Sequence, residues 1–395
     1  MPAAGPIRFR PSWAAAAVVA ILLAGACGGG GASRGQTPSA PRAATGSKLD
    51  LEGVCPSTVV VQMNWFPQAE HGSLYRLLGT GYAVDAGQKR VSAELVASGQ
   101  DTGVRLEVRS GGPAIGFQQV SAQMYLDPAI TLGAVASDEA VQNSKDHPTL
   151  QVMAPMDLNP QVILWSPQKH PDWRTIADIG RSTATVLYFG GATYMEYLVG
   201  TNLLHRSQVD ASYDGTPSRF VASGGAVAQQ GYATNEPYLY SRELPAWNRP
   251  IKFQLVHDTG YPIYPDAFAI RSGDRTRLAP CLQRLAPILQ RSTVDYIRDP
   301  RPTNSAIVDM VRRLNAAQDY TLARANYAGD EMKKLGIIGN GTNTTLGDFD
   351  MARILRVIDI TGPIFAREGK PIAPGLRPQD VATNEFLDAS IGLPG

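Results

Sequence analysis

The chain has little cysteine, three residues in 395, and it lacks both a block of basic residues and, beyond its amino-terminal region, a long apolar run. Each shortage excludes something. Thirty-six Lys and Arg face 35 Asp and Glu, leaving a formal charge of +1. With the cations scattered there is no electrostatic footprint for nucleic acid. No second apolar stretch reaches the roughly 20 residues a spanning helix needs, so the body is expected to be soluble. His71, His147, His170, His205 and His257 form no ligand pair on one helix face, and the cysteines have no zinc spacing. Neither a metal nor a cofactor is expected. A Gly-x-Ser-x-Gly elbow and a Gly-x-x-x-x-Gly-Lys loop are both missing. Glu70-His71 and His257-Asp258 remain as acid/base dipeptides, but such pairs arise easily by chance. No catalytic residue is assigned, and the chain is not expected to be an enzyme.

What is present starts at the amino terminus. Arg8 and Arg10 precede the apolar stretch Trp13 to Leu23, which runs into Leu23-Ala24-Gly25-Ala26-Cys27. Residues 1–27 therefore read as a signal peptide closing on a lipobox. Cleavage there leaves Cys27 as the new terminus, and a diacylglycerol on its sulfur would anchor the protein at about 0.8 kcal/mol per buried methylene. An uncleaved anchor would give the same compartment. Residues 28–50, rich in Ser, Thr, Pro, Gly and Ala to about Ser47, cannot bury a core and read as a flexible tether. The expected place is the outer face of the cell membrane. In that setting Cys55 and Cys281 are an even pair, either bridged or left as two buried thiols.

From Leu51 onward there is room for two domains of roughly 100–200 residues each. Thr58 to Met63 is a β-branched run bounded by prolines and predicts a buried strand, with a helix from about Gly72 to Leu78. Val104 to Val108 alternates as a strand that stops at Ser110-Gly111-Gly112-Pro113, followed by a helix from about Gly116 to Met124, and Ile130 to Ala136 is a third strand. Strands alternating with helices imply parallel βαβ units. Leu150 to Met156 and Gln161 to Trp165 are separated by Asp157-Leu158-Asn159-Pro160, which suits a crossing between lobes. A second α/β unit covers Thr175 to Gly180, a strand Thr185 to Phe189, and a helix Thr193 to Leu204. Lys252 to Val256 is a late strand, Ala267 to Ile270 reads as the return to the first lobe, and the remainder is mostly helical.

In open α/β sheets, ligands sit beyond the carboxyl ends of strands. There the chain places Asn64-Trp65-Phe66-Pro67-Gln68-Ala69-Glu70-His71-Gly72, Gly111-Gly112-Pro113, Tyr188-Phe189-Gly190-Gly191, and Gly231-Tyr232-Ala233-Thr234-Asn235-Glu236-Pro237-Tyr238. An indole stacks on a flat heterocycle, Asn64, Gln68 and His71 offer edge hydrogen bonds, and glycines let backbone N–H groups approach a ligand. Taken singly, Trp65 and Phe66 fit a core, Gly-Gly-Pro a turn, and Glu236 a salt-bridged loop acid. Glu236 precedes a proline and is read as non-helical.

The three motifs Asn64 to Gly72, Gly111 to Pro113 and Gln229-Gln230-Gly231-Tyr232-Ala233-Thr234-Asn235-Glu236-Pro237, in this order, resemble the substrate-binding lipoproteins of ABC importers for thiamine-pyrimidine precursors and riboflavin. The wider group includes binders of sulfonates, nitrate and taurine. The resemblance implies an α/β, type II periplasmic-binding fold with two hinge crossings and a central cleft: residues 51–154 and 271–395 as lobe 1, residues 155–270 as lobe 2. It implies a monomer that closes on a small aromatic ligand and docks on a membrane permease. Trp65 and Tyr188 would stack, Gly111 and Gly112 would donate from the backbone, and Asn235 with Glu236 would read a polar ring edge. Cys55 and Cys281 would share the first lobe. Two departures stand out. The segment Gly81 to Gly103 is longer than expected and carries its own strand-like run, Val91 to Val96. The cysteine-rich motif of the related pyrimidine-synthesising enzymes is absent, which argues for binding over synthesis.

Overall fold

The computed structural model describes residues 40–316 and 319–394; the signal peptide, Cys27 and the tether through residue 39 lie outside the described residues. Twelve strands occur in chain order: β1 Thr58–Gln62, β2 Ala83–Asp85, β3 Arg90–Ala97, β4 Gln100–Arg109, β5 Leu132–Val135, β6 Thr149–Met153, β7 Gln161–Trp165, β8 Val186–Leu187, β9 Val209–Asp210, β10 Ala228–Tyr232, β11 Lys252–Leu255 and β12 Ala267–Arg271. They form two sheets, one of seven strands in the order β2-β3-β4-β1-β5-β12-β6 and one of five in the order β11-β7-β10-β8-β9. β1 runs parallel to β4 and β5, whereas β12 returns antiparallel between β5 and β6.

Burial on both faces explains the unbroken valines of β1. Val59 and Val61 pack with Leu282, Leu285 and Leu289 of the helix Arg275–Arg298, and Val60 faces Val120 and Met124 on the opposite side. A disulfide joins Cys55, just before β1, to Cys281 in that helix.

The chain passes between the sheets twice, at residues 154–160 after β6 and residues 256–266 before β12. One side chain ties the crossings together. The Arg353 guanidinium donates to the Asp157 carboxylate at 2.7 Å, to the Asp157 carbonyl at 2.6 Å, and to the carbonyls of Pro262 and Ile263 at 2.6 and 2.9 Å. It also lies 3.7 Å from the Tyr264 ring centroid, so both crossings share one cation.

Several expectations need correction. The first helix is shorter than Gly72 to Leu78: a 3-10 turn Ala69–His71 leads into Gly72–Tyr75. It stops because the following backbone is captured by β3, with Gly79 N–H donating to Glu94 C=O at 2.9 Å and Val96 N–H to Leu77 C=O at 2.8 Å. The second helix begins at Val120, because Phe117 adopts a left-handed φ of 58° that an α-helix cannot absorb. The long segment Gly81 to Gly103 supplies β2 and β3, which extend one edge of the seven-stranded sheet by antiparallel pairing. Residues 40–50 are not a free tether. Asp101 N–H donates to Pro41 C=O and Ala43 N–H to Asp101 C=O, while Arg42 bridges Asp50 and Glu52. β12 already belongs to the seven-stranded sheet at Ala267, so the return precedes the expected boundary at 271.

Candidate ligand-binding site

The loop after β1 meets the loop after β10 where the two sheets face each other. Asn64 Nδ2 donates to Asp266 Oδ1, and His71 Nε2 stands 3.4 Å from Asp266 Oδ2. From the same loop, the buried Glu70 carboxylate accepts the Thr234 hydroxyl across the gap between lobes. Glu236 folds back on its own loop, accepting Tyr232 N–H at 2.5 Å and Asn235 Nδ2 at 2.9 Å. Asn64, Glu70, His71, Asp266, Thr234, Asn235 and Glu236 thus form one continuous polar seam. Asp266 holds it at the second crossing in a left-handed backbone conformation, φ 49°, uncommon outside glycine and asparagine.

Tyr232 reports the geometry of the seam. Its side chain leaves the residue 36% exposed. Nevertheless its hydroxyl pKa is raised above 10, first by burial and then by the negative charges of Asp266, Glu70, Glu236 and Asp138. The residue is thus partly open to solvent while its hydroxyl feels the charge of acids from both lobes. Burial likewise raises the carboxyls of Glu70, Glu236 and Asp138, each held partly down by a hydrogen bond. For Asp138 that bond comes from the Tyr261 hydroxyl at 2.7 Å.

Glu139, next along and accepting Ser121 N–H at 2.8 Å, is pushed by burial up to about 7 from an ordinary 4.5. Because the folded pKa lies above the unfolded one, the native state holds the extra proton. Stability is therefore full below about pH 4.5 and falls as pH rises through 7. Glu139→Gln keeps the acceptor without the charge. It should match the wild type at pH 4.5 and exceed it by about 1–2 kcal/mol at pH 8, as urea midpoints would show. An equal difference at both pH values would contradict the assignment.

Aromatic rings flank the seam. Trp65, half-buried, has its ring centroid 6.0 Å from that of Phe117, which is 65% exposed. In the second lobe, Phe189 and Tyr213 pair at 4.8 Å, and the Tyr213 hydroxyl pKa is raised, first by burial and then by the charge of Glu236.

Not every residue expected at the cleft is there. Tyr188 is 7% exposed and belongs to the second lobe's core with Val186, Tyr194 and Leu198. Phe189, the next residue, pairs with Tyr213 instead. Gly111 cannot serve as a ligand donor, because its N–H is bound to Trp65 C=O at 3.0 Å. Gly112 seats the indole: a Cβ there would overlap the ring, 2.7 Å from Trp65 Cζ3. Gln68 opens the 3-10 turn with its carbonyl accepting His71 N–H at 3.0 Å. Glu236 starts a short helix, Glu236–Tyr238, in which Pro237 sits where no intrahelical N–H is needed. Asp266, Phe117, Phe189, Tyr213, Asp138 and Glu139 were not among the candidates. His257 lies apart from His71, in a hinge cavity of about 440 Å³ with Asp157 and Arg353.

No protein-family model and no curated protein sequence matches the chain. Solved structures do. The alkanesulfonate-binding protein SsuA from Xanthomonas axonopodis pv. citri, bound to MOPS, is 12% identical with a TM-score of 0.50, covering 83% of this chain and 99% of that one. The periplasmic aliphatic sulphonate binding protein SsuA from Escherichia coli is 12% identical with a TM-score of 0.51, covering 86% of this chain and 95% of that one. The fold is the type II periplasmic-binding fold. In this fold the seam lies at the interlobe cleft, and the two crossings are its hinges. Further contacts join the lobes beside the cleft: Arg324 Nε donates to Glu243 at 2.7 Å, and the Tyr327 hydroxyl to Ala233 C=O at 3.3 Å. Among the described residues no helix is long and apolar enough to cross a membrane.

Proposed function

We propose that this chain is an extracytoplasmic solute-binding protein, tethered through Cys27, that closes on a small ring-bearing solute and presents it to an ABC permease. The observation that carries this reading is the polar seam of Glu70, Asp266, Tyr232 and Glu236 between two lobes, flanked by Trp65 with Phe117 and by Phe189 with Tyr213. Flat aromatic faces with carboxylate acceptors between them suit a nitrogen heterocycle whose ring N–H or exocyclic amine donates. A pyrimidine of the thiamine-precursor kind or a flavin ring has those features. A receptor returns its ligand unchanged, and no catalytic role is assigned to His71 or His257.

A sulfonate ligand is the second reading, and it rests on what the two structural neighbours are named for binding. The seam opposes it, since an anion there would face the carboxyl groups of Glu70, Asp266 and Glu236.

Isothermal titration against pyrimidines, flavins, sulfonates and nitrate tests the reading, with the solute recovered intact afterwards. Heterocycle binding is expected, and Trp65→Ala should weaken it by about 1–3 kcal/mol, roughly 5- to 150-fold. Silence across the panel, or consumption of the solute, would count against a receptor.

A further inference from the structure

We propose that Arg324 and Glu243 form a closing latch: positioning residues that hold the two lobes together over the solute and slow its release without touching it. This deepens the solute-binding reading and rests on it. Arg324 stands in the helix Leu322–Lys334, which packs into the core of the seven-stranded sheet through Ala328 and Met332. Glu243 closes the helical turn Leu239–Glu243, whose Tyr240 packs with Val162 and Leu164 of the five-stranded sheet. The pair therefore joins one lobe to the other. Arg324 donates to Glu243 Oε2 from Nε at 2.7 Å and from Nη2, while the Thr321 hydroxyl donates to Oε1. Thr321 also caps the helix, accepting Arg324 N–H at 3.1 Å, so the carboxylate meets the positive end of the helix dipole. With side chains only 10% and 17% exposed, this is not the solvated surface pair that contributes little.

Its place along the helix makes it sensitive to opening. Just past the carboxyl end, Ile337 C=O accepts Asp157 N–H at 2.7 Å and Leu158 N–H at 3.2 Å from the first crossing. Midway, the Tyr327 hydroxyl meets Ala233 C=O, and Ala233 N–H is itself bound to Pro160 C=O of that crossing at 2.9 Å. Arg324 lies roughly 15 Å from the carboxyl end, at about 1.5 Å per residue. A hinge rotation of about 10° transverse to the helix would part the ion pair by roughly 3 Å and barely disturb the contacts at the crossing. The latch is thus the part of the lobe contact along this helix that opening must break.

The latch also reaches both loops of the seam. Arg324 Nη1 approaches Asn235 Oδ1 at 3.5 Å, next to Thr234, whose hydroxyl donates to Glu70. On the other side, the Tyr320 hydroxyl accepts Ala69 N–H at 3.1 Å, at the start of the turn that carries Glu70 and His71. Every donor and acceptor in the latch belongs to the chain. It acts on solute through the balance between open and closed lobes, which a ligand of the closed form shares.

Small-angle X-ray scattering of the folded chain without added solute tests the latch directly. Arg324→Gln should show a larger radius of gyration than the wild type, with an unchanged circular dichroism spectrum. If that variant misfolds, Glu243→Gln in the other lobe gives the same reading. The exchanged pair, Arg324→Glu with Glu243→Arg, should recover most of the wild-type radius, which a merely structural role for either residue would not allow. With riboflavin and cytosine as probes, release measured by stopped flow should be about tenfold faster in the single variants and slow again in the exchanged pair. An unchanged radius in both single variants, or an exchanged pair as open as they are, would overturn the latch and leave a solute cleft standing. Variants that open as expected while neither probe binds any form, the wild type included, would count against the heterocycle reading instead, with the latch upheld by the scattering.

Discussion

Gly111→Ala is expected to destabilise the protein by about 3 kcal/mol and to abolish solute binding in what remains folded. A Cβ at this position would meet the carbonyl oxygen of Met63 and approach Asn64 Cα to 2.7 Å. Both obstacles are backbone, which cannot rotate aside as a side-chain tip can. The neighbouring backbone is fixed by Gly111 N–H on Trp65 C=O at 3.0 Å and by Met63 N–H on Arg109 C=O at 2.9 Å. Relief therefore requires parting the ends of β1 and β4, which carries Asn64 and Trp65 away from Asp266 and Phe117. Urea unfolding measures the first effect and tryptophan fluorescence titration the second. A variant within about 0.5 kcal/mol of wild type, binding normally, would show that the β1 loop is not held in this way.

Removing the disulfide should cost about 3–5 kcal/mol. Cys55 and Cys281 are 226 residues apart, so the bond closes a long loop and withdraws much entropy from the unfolded chain. It also pins the segment leading in from the amino terminus to the helix Arg275–Arg298, against which β1 packs. Cys55→Ala combined with Cys281→Ala avoids a stranded thiol, and thiol reductant on the wild type should reproduce its lower melting temperature. Coincident melting curves with and without reductant would contradict the assignment.

The architecture was legible where burial leaves a mark on composition. The valines of β1, the alternation in β4 and the apolar runs of β6, β7 and β12 announce strands because both faces or one face of each must be dry. The interruption at Asp157 to Pro160 announced a crossing for the same reason. Helix ends were less legible, because long-range pairing such as Gly79 with Glu94 ended the first helix early, and no local signal encodes that partner.

At the site, the motifs named loops that the structure brings together, but not every side chain in them faces the seam. Asn64, Trp65, His71, Asn235 and Glu236 lie along or beside the seam, whereas Tyr188 turns into the core of the second lobe. β8 has only two residues, too few for alternation to show which face is which. Asp266 was invisible because its role depends on a crossing that brings it beside a loop 202 residues away. Asp138 and Glu139 were hidden for a like reason, since their effect comes from proximity to carboxylates on other segments.

The central claim is that solute is held between the lobes. A crystal structure of the chain soaked or copurified with its solute tests it most directly. Ligand density bounded by Trp65, Tyr232 and Glu236, with a donor facing the carboxylates, is the predicted result. Density instead in the separate cavity of about 1,090 Å³ lined by Tyr75, Leu77, Ile288 and Phe386, with the interlobe seam unchanged, would contradict it.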